Sequence, residues 1–135
     1  MKLTGKMIGD ALHDGITKWK NLRVHVQESH IRTAQALNVE LGLIPNDKRE
    51  YILSTSTEAY ETSDIPEIVT LIDNMDEDFT ISTIVNGHET GYGSYGFSGS
   101  DIYIRSIETN EEEYGDAIGL LNAIKRYKEE HQVQA

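Results

Sequence analysis

The sequence predicts an α+β domain: an antiparallel β-meander sheet packed against N-terminal and C-terminal helices, all helices on one face. Three observations carry that prediction. Asn86-Gly87 stands between two strand-like runs, the strongest short-range hairpin signal. Ser98-Gly99-Ser100 turns the chain again before the apolar run Ile102-Tyr103-Ile104. An amphipathic helix then follows, with Tyr114, Ala117, Ile118, Leu121 and Ile124 on one stripe.

The elements follow in chain order. Met7, Ile8, Ala11, Leu12, Ile16 and Trp19 recur at helical spacing behind Thr4, a natural N-cap. Gly5, Gly9 and Gly15 weaken that helix unless packing with close backbone approach holds it. Arg23 to Gln27 alternates polar and apolar residues and reads as a short strand, with one longer helix as the competing reading. Ser29 would then cap a helix carrying Ile31, Ala34, Leu37 and Leu41, stopped by Gly42. Tyr51 to Ser56 reads as a strand. Ser63 or Asp64 caps a helix with Pro66 in its first turn and a stripe of Ile65, Ile68, Val69 and Ile72.

Asp73 to Asp78 is an acidic exit loop. Phe79 to Val85 has strong β composition, and the return strand from His88 carries Tyr92, Tyr95 and Phe97. Residues 102–107 form the last strand. The final helix spans roughly Glu111 to Glu130, with capping spacing at Thr109–Glu112 or Asn110–Glu113. The expected core is Ile81, Val85, Ile102, Ile104, Ile118, Leu121 and Ile124. No repeat, linker or low-complexity segment divides residues 1–135, so they are read as one domain.

Composition narrows the function. Hydrophobic residues make up 38% and charged residues 26%, the balance of a soluble globular chain rather than a disordered one. There is no Cys, hence no disulfide, thiolate metal site or Cys nucleophile, and the apolar runs fall far short of a membrane span. A cytoplasmic setting is the simplest expectation.

The net charge of -11 is unevenly placed. Residues 1–50 hold eight basic and six acidic residues; residues 51–135 hold four basic and seventeen acidic. From Glu58 to Asp116 there are fifteen acids against the single base Arg105. Such a block repels nucleic-acid backbones and suits a basic partner.

Motif readings lead less far. Gly91-Tyr92-Gly93-Ser94-Tyr95-Gly96 matches G-x-G-x-x-G, but a strand follows where a dinucleotide fold needs a helix. The acidic loop from Asp76 has Ile81 and Gly87 where an EF-hand needs Gly and Glu. His13, His25, His30, His88 and His131 make no metal-ligand spacing, and no G-x-S-x-G elbow is present. His88-Glu89 could form an acid–base pair, with a solvent-exposed turn histidine as the simpler reading. Lys18, Trp19, Lys20 and Arg23 form a basic–aromatic cluster whose tryptophan continues the first helix's apolar stripe.

The expectation is therefore a non-catalytic acidic binding protein, an inhibitor or adaptor docking a basic, nucleic-acid-handling protein. It needs no cofactor or metal, and touches neither nucleic acid nor membrane directly. Its partner-binding residues would be Asp73, Asp76, Glu77, Asp78, Glu111, Glu112, Glu113 and Asp116. One alternative sequesters a nucleotide-like anion with Tyr92, Tyr95 and Arg105; another is a structural subunit of a phage-type assembly. The short chain and acidic balance are those of many viral or mobile-element accessory proteins. The charge-free strip Thr90 to Ser100 suits either a homodimer interface at a sheet edge or a central strand of the monomer.

Overall fold

The structure, a computed structural model, describes residues 2–13, 18–98, 101–106 and 111–131, the side chains of residues 13, 106 and 111–117 excepted. Its elements are α1 (Gly5–His13), a single 3-10 turn (Trp19–Asn21), α2 (Val24–Glu40), β1 (Arg49–Ser54), β2 (Ala59–Thr62), α3 (Ile65–Asp73), β3 (Phe79–Val85), β4 (His88–Ser98), β5 (Asp101–Ser106) and α4 (Glu111–His131). The strands form one sheet in the order β2-β1-β3-β4-β5, every neighbouring pair antiparallel. The fold is α+β, with the meander over β3, β4 and β5 as the turns predict. Gly99 and Ser100 of the predicted turn, Ile107 and the caps Thr109 and Asn110 lie outside the described residues.

The hairpin signal at Asn86-Gly87 is realised with φ of 53° and 84°, the left-handed pair that a two-residue turn between twisted strands requires. Its tip is tied down twice. Asn86 exchanges hydrogen bonds with Asp47, accepting from its N–H at 3.0 Å and donating to its carboxylate at 3.1 Å. Gly87 lies against α2, where a Cβ would come within 2.7 Å of Ala36 Cβ.

The helices cover both faces of the sheet, not one. On the first face α3 and α4 bury Tyr51, Leu53, Ile68, Val69, Ile72, Phe79, Ile81, Tyr95, Ile102, Leu120, Leu121 and Ile124 in one apolar cluster. Asp64 caps α3, accepting from the Glu67 N–H at 3.0 Å. Of the expected core, Ile81, Ile102, Leu121 and Ile124 are buried; Val85, Ile104 and Ile118 are half-buried, and Ile104 packs against the cluster.

The second face is covered by α2 with α1 outside it, and its apolar cluster is only Ile31, Ile52, Ala59 and Ile84. Gln27, His30, Gln35 and Asn38 of α2 and Glu50, Ser54 and Ser82 of the sheet are buried beside it. Residues 24–27 belong to α2, so the strand read at Arg23 to Gln27 is corrected to the first helical turn. The alternation there is a helix burying Gln27 while Arg23 and His25 stay exposed.

The stripe read for α1 is also corrected. α1 as described, Gly5–His13, exposes Met7 and Leu12, whereas Gly5 and Gly9 are the buried positions among its described residues; Gly15 and Ile16 lie outside the described residues. A Cβ on Gly5 would stand 2.8 Å from the Ile31 backbone, so the glycine sets how closely α1 meets α2.

β2 has no counterpart in the sequence reading. The hairpin that makes it contains neither Gly nor Asn. Thr55 Oγ1 accepts from the N–H groups of Thr57 (3.3 Å) and Glu58 (3.2 Å), and the Thr55 N–H donates to the Glu58 carbonyl (2.9 Å). A threonine hydroxyl substitutes for the usual turn residues.

Candidate functional site

Part of the charge block gathers at the β2 end of the sheet. No Lys or Arg stands between Arg49 and Arg105. Within that stretch β2 and its hairpin supply Glu58 and Glu61, α3 supplies Glu67 and Asp73, and the α3–β3 loop supplies Asp76, Glu77 and Asp78. Tyr60 sits among them, its hydroxyl pushed above the usual phenol value first by partial burial and then by the Glu58 and Glu77 carboxylates.

The sequence-predicted partner residues divide. Asp73 pairs with Lys128 of α4 at 3.3 Å, and Asp78 with Arg105 of β5 at 2.7 Å. These two carboxylates are already neutralised. Asp76 and Glu77 are exposed and make no ion pair among the described residues. The side chains of Glu111, Glu112, Glu113 and Asp116 lie outside the described residues, although their backbone forms the first turns of α4.

The alternative constellation is pulled apart by strand parity. Tyr95 pairs with Phe79 across β3 and β4 while Tyr92 pairs with Ser82, so the two tyrosines occupy opposite faces. Tyr95 is fully buried and stacked on Phe79 at 5.4 Å, offering no face to a ligand. Tyr92 is half-buried on the α2 side, and Arg105 is held by Asp78. The charge-free strip runs along β4, which pairs with β3 over His88 to Tyr95 and with β5 over Ser94 to Ser98; among the described residues it is a central strand at Ser94 and Tyr95 and keeps an open side over Thr90 to Gly93. Glu89 is likewise taken, by Arg32 at 2.9 Å, which leaves His88 exposed without the acid partner its sequence neighbour suggested.

What the sequence missed is the groove beside β2. A space of about 430 Å³ follows the strand from Glu58 to Thr62, walled on one side by Lys6, Trp19 and Ile31 and on the other by Glu67, Thr70 and Leu71. A second depression of about 570 Å³ continues past Trp19 and Glu58 to Asp10, Lys18 and Lys20. Trp19 is half-buried, its ring 6.4 Å from that of His30. Glu61 is partly buried within this wall and accepts from the Gly5 N–H at 2.9 Å. Burial pushes its carboxyl above the ordinary value, against the Gly5 hydrogen bond and Lys2, which pull it down. The sequence signal for this site was the basic–aromatic cluster, whose Trp19 lines the groove and whose Lys18 and Lys20 line the adjoining depression; β2 itself, following Thr55-Ser56-Thr57, gave none.

At the other end of the sheet, Phe97, Ile102, Tyr103, Lys125, Lys128 and Glu129 border an open cleft of about 910 Å³. Its charges are mixed, and Lys128 is committed to Asp73. Among the described residues no cluster of three or more His, Asp or Glu is arranged to hold a metal ion. Nor is any helix among them long and apolar enough to cross a membrane. The chain matches no known family model, and no curated protein or solved structure is detectably similar to it.

Proposed function

We propose that the protein is a non-catalytic docking protein, an inhibitor or adaptor, that binds a basic protein partner through the acidic β2 end of its sheet. The observation that carries this reading is the gathering of Glu58, Glu61, Glu67, Asp76 and Glu77 around Tyr60, in a stretch of sequence without a cation. Lys128 and Arg105 are bound to Asp73 and Asp78 and Lys2 to Glu50, which leaves Lys6 as the base lining the groove with Glu58, Glu61 and Glu67, so the carboxylates stay in excess. A field of one sign accelerates encounter with an oppositely charged protein and weakens as salt screens it.

Reversal of Asp76 and Glu77 to Lys tests the reading without touching an ion pair or the core. Basic proteins retained from a cell extract by the wild-type protein should elute with salt, and their association with D76K/E77K should slow by about tenfold or more. Equal association rates for the two proteins, or retention indifferent to salt, would remove the acidic end as the docking surface.

A further inference from the structure

Building on that docking reading, we propose that the partner contributes an extended basic segment, which adds to β2 as a sixth strand of the sheet. β2 is the terminal strand in the order β2-β1-β3-β4-β5, so one side of its backbone faces away from the ladder. Which groups face outward follows from two hydrogen bonds. The Glu58 carbonyl accepts from Thr55, across the hairpin. The next residue, Ala59, donates its N–H instead to Gln27 Oε1 at 2.7 Å. Antiparallel alternation then turns the N–H and C=O of Glu61 outward with the C=O of Ala59.

Those groups open onto the groove between Lys6 and Trp19 on one wall and Glu67, Thr70 and Leu71 on the other. Four residues of strand span roughly 13 Å, room for a short extended peptide. Natural sheets guard such edges with lysine, proline, a bulge or an inward charge; Ala59-Tyr60-Glu61-Thr62 is a short strand whose one charge, Glu61, has its side chain engaged by the Gly5 N–H of α1, which leaves its backbone groups open. Gln27 closes only the first outward amide.

The walls specify the occupant. Trp19, Tyr60 and Leu71 offer apolar surface to alternate side chains, while Glu58, Glu61 and Glu67 outnumber Lys6 as charges. A second copy of this chain pairing through β2 would bring these carboxylates against their own counterparts, which is unfavourable. A segment alternating apolar residues with Lys or Arg meets both walls, a mode in which main-chain hydrogen bonds hold the peptide and side-chain pockets select it.

Trp19, the only tryptophan, lines the groove and reports its occupancy. The probe is a synthetic peptide of alternating lysine and valine, titrated against the intact chain and followed by Trp19 fluorescence. The control is the same sequence with its ladder-facing amides N-methylated. Losing the peptide's share of the backbone bonds should weaken binding about tenfold or more, and the unmodified peptide should give cross-strand contacts to Glu61 by NMR. Equal affinity for the two peptides would overturn strand addition while leaving charge-driven docking intact. Binding of neither would also overturn it, and loss of the D76K/E77K effect is needed to remove the docking reading itself. Sedimentation showing a dimer that the peptide dissociates would give the edge to a second copy and likewise overturn the proposal.

Discussion

The two faces of the sheet are built on different principles. Between the sheet and α3 and α4 lies an apolar cluster of twelve buried residues, with Thr62 and Thr83 as the buried polar side chains in register with Tyr51 on that face. Beneath α2 the apolar cluster has four, and the space around it is filled by Gln27, His30, Gln35, Asn38 and Glu50. On that side hydrogen bonds do the joining. Gln27 donates to the Trp19 carbonyl at 2.7 Å and accepts from Ala59 at 2.7 Å. Asn38 accepts from the Leu3 N–H at 2.7 Å and donates to its carbonyl at 2.9 Å. Lys2 reaches both Glu50 (3.2 Å) and Ser63 (2.6 Å). Apolar packing depends on volume and is tolerant of which hydrophobe supplies it; buried polar packing depends on partners and is not. One face therefore fixes the sheet, and the other fixes where the N-terminal helices lie on it.

The largest effect should come from the apolar face. Phe79→Ala removes a ring buried against Tyr95 and Phe97 and should cost about 3–5 kcal/mol, read as a shift of the denaturant midpoint at unchanged slope. A cost below that of a surface substitution would break the comparison at once.

The polar face should show a smaller effect that shape cannot rescue. Gln27→Leu keeps most of the volume but leaves the Ala59 N–H without its partner and the Trp19 carbonyl with the Leu22 N–H alone, costing about 1–3 kcal/mol. If Gln27→Leu proved neutral or stabilising, the second face would be ordinary hydrophobic packing.

Glu61 sharpens the contrast through pH, with the smallest expected effect. Its carboxyl is raised in the folded state, chiefly by burial, so the folded chain holds that proton to higher pH than the unfolded chain does. Stability from this group is therefore greatest below the ordinary carboxylate pKa and is lost as pH rises through the folded value. Glu61→Gln keeps an oxygen for the Gly5 N–H. Its melting temperature should match the wild type in acid and exceed it at neutral pH. A difference independent of pH would mean the carboxylate carries no burial penalty.

The same contrast explains what could be read in the sequence. Ile68, Val69 and Ile72, the Asn86-Gly87 turn and Leu121 with Ile124 declare themselves because apolar burial leaves a periodic trace. The stripe that α2 buries runs Gln27, His30, Ile31, Ala34, Gln35 and Asn38, and four of those six are invisible to hydrophobic periodicity. That is why its first turn resembled a strand, and why helices were expected on one face only. α1 hid its contact in glycine, which no apolar count detects. β2 was lost because Thr55 makes the turn. The acidic loop was legible as charge, but the pairing of Asp73 with Lys128 and of Asp78 with Arg105, distant in sequence, was not.

The polar lining of α2 also bears on the order in which the chain is made. α2 ends at Glu40 and β3 begins at Phe79, so a ribosome delivers the helix well before the strand that carries Ile84 to it. At roughly 5–20 residues per second that interval is on the order of seconds. A conventional amphipathic helix would spend it presenting a greasy stripe to every nascent chain and chaperone nearby. α2 presents mostly amides and an imidazole, which water satisfies until the sheet arrives.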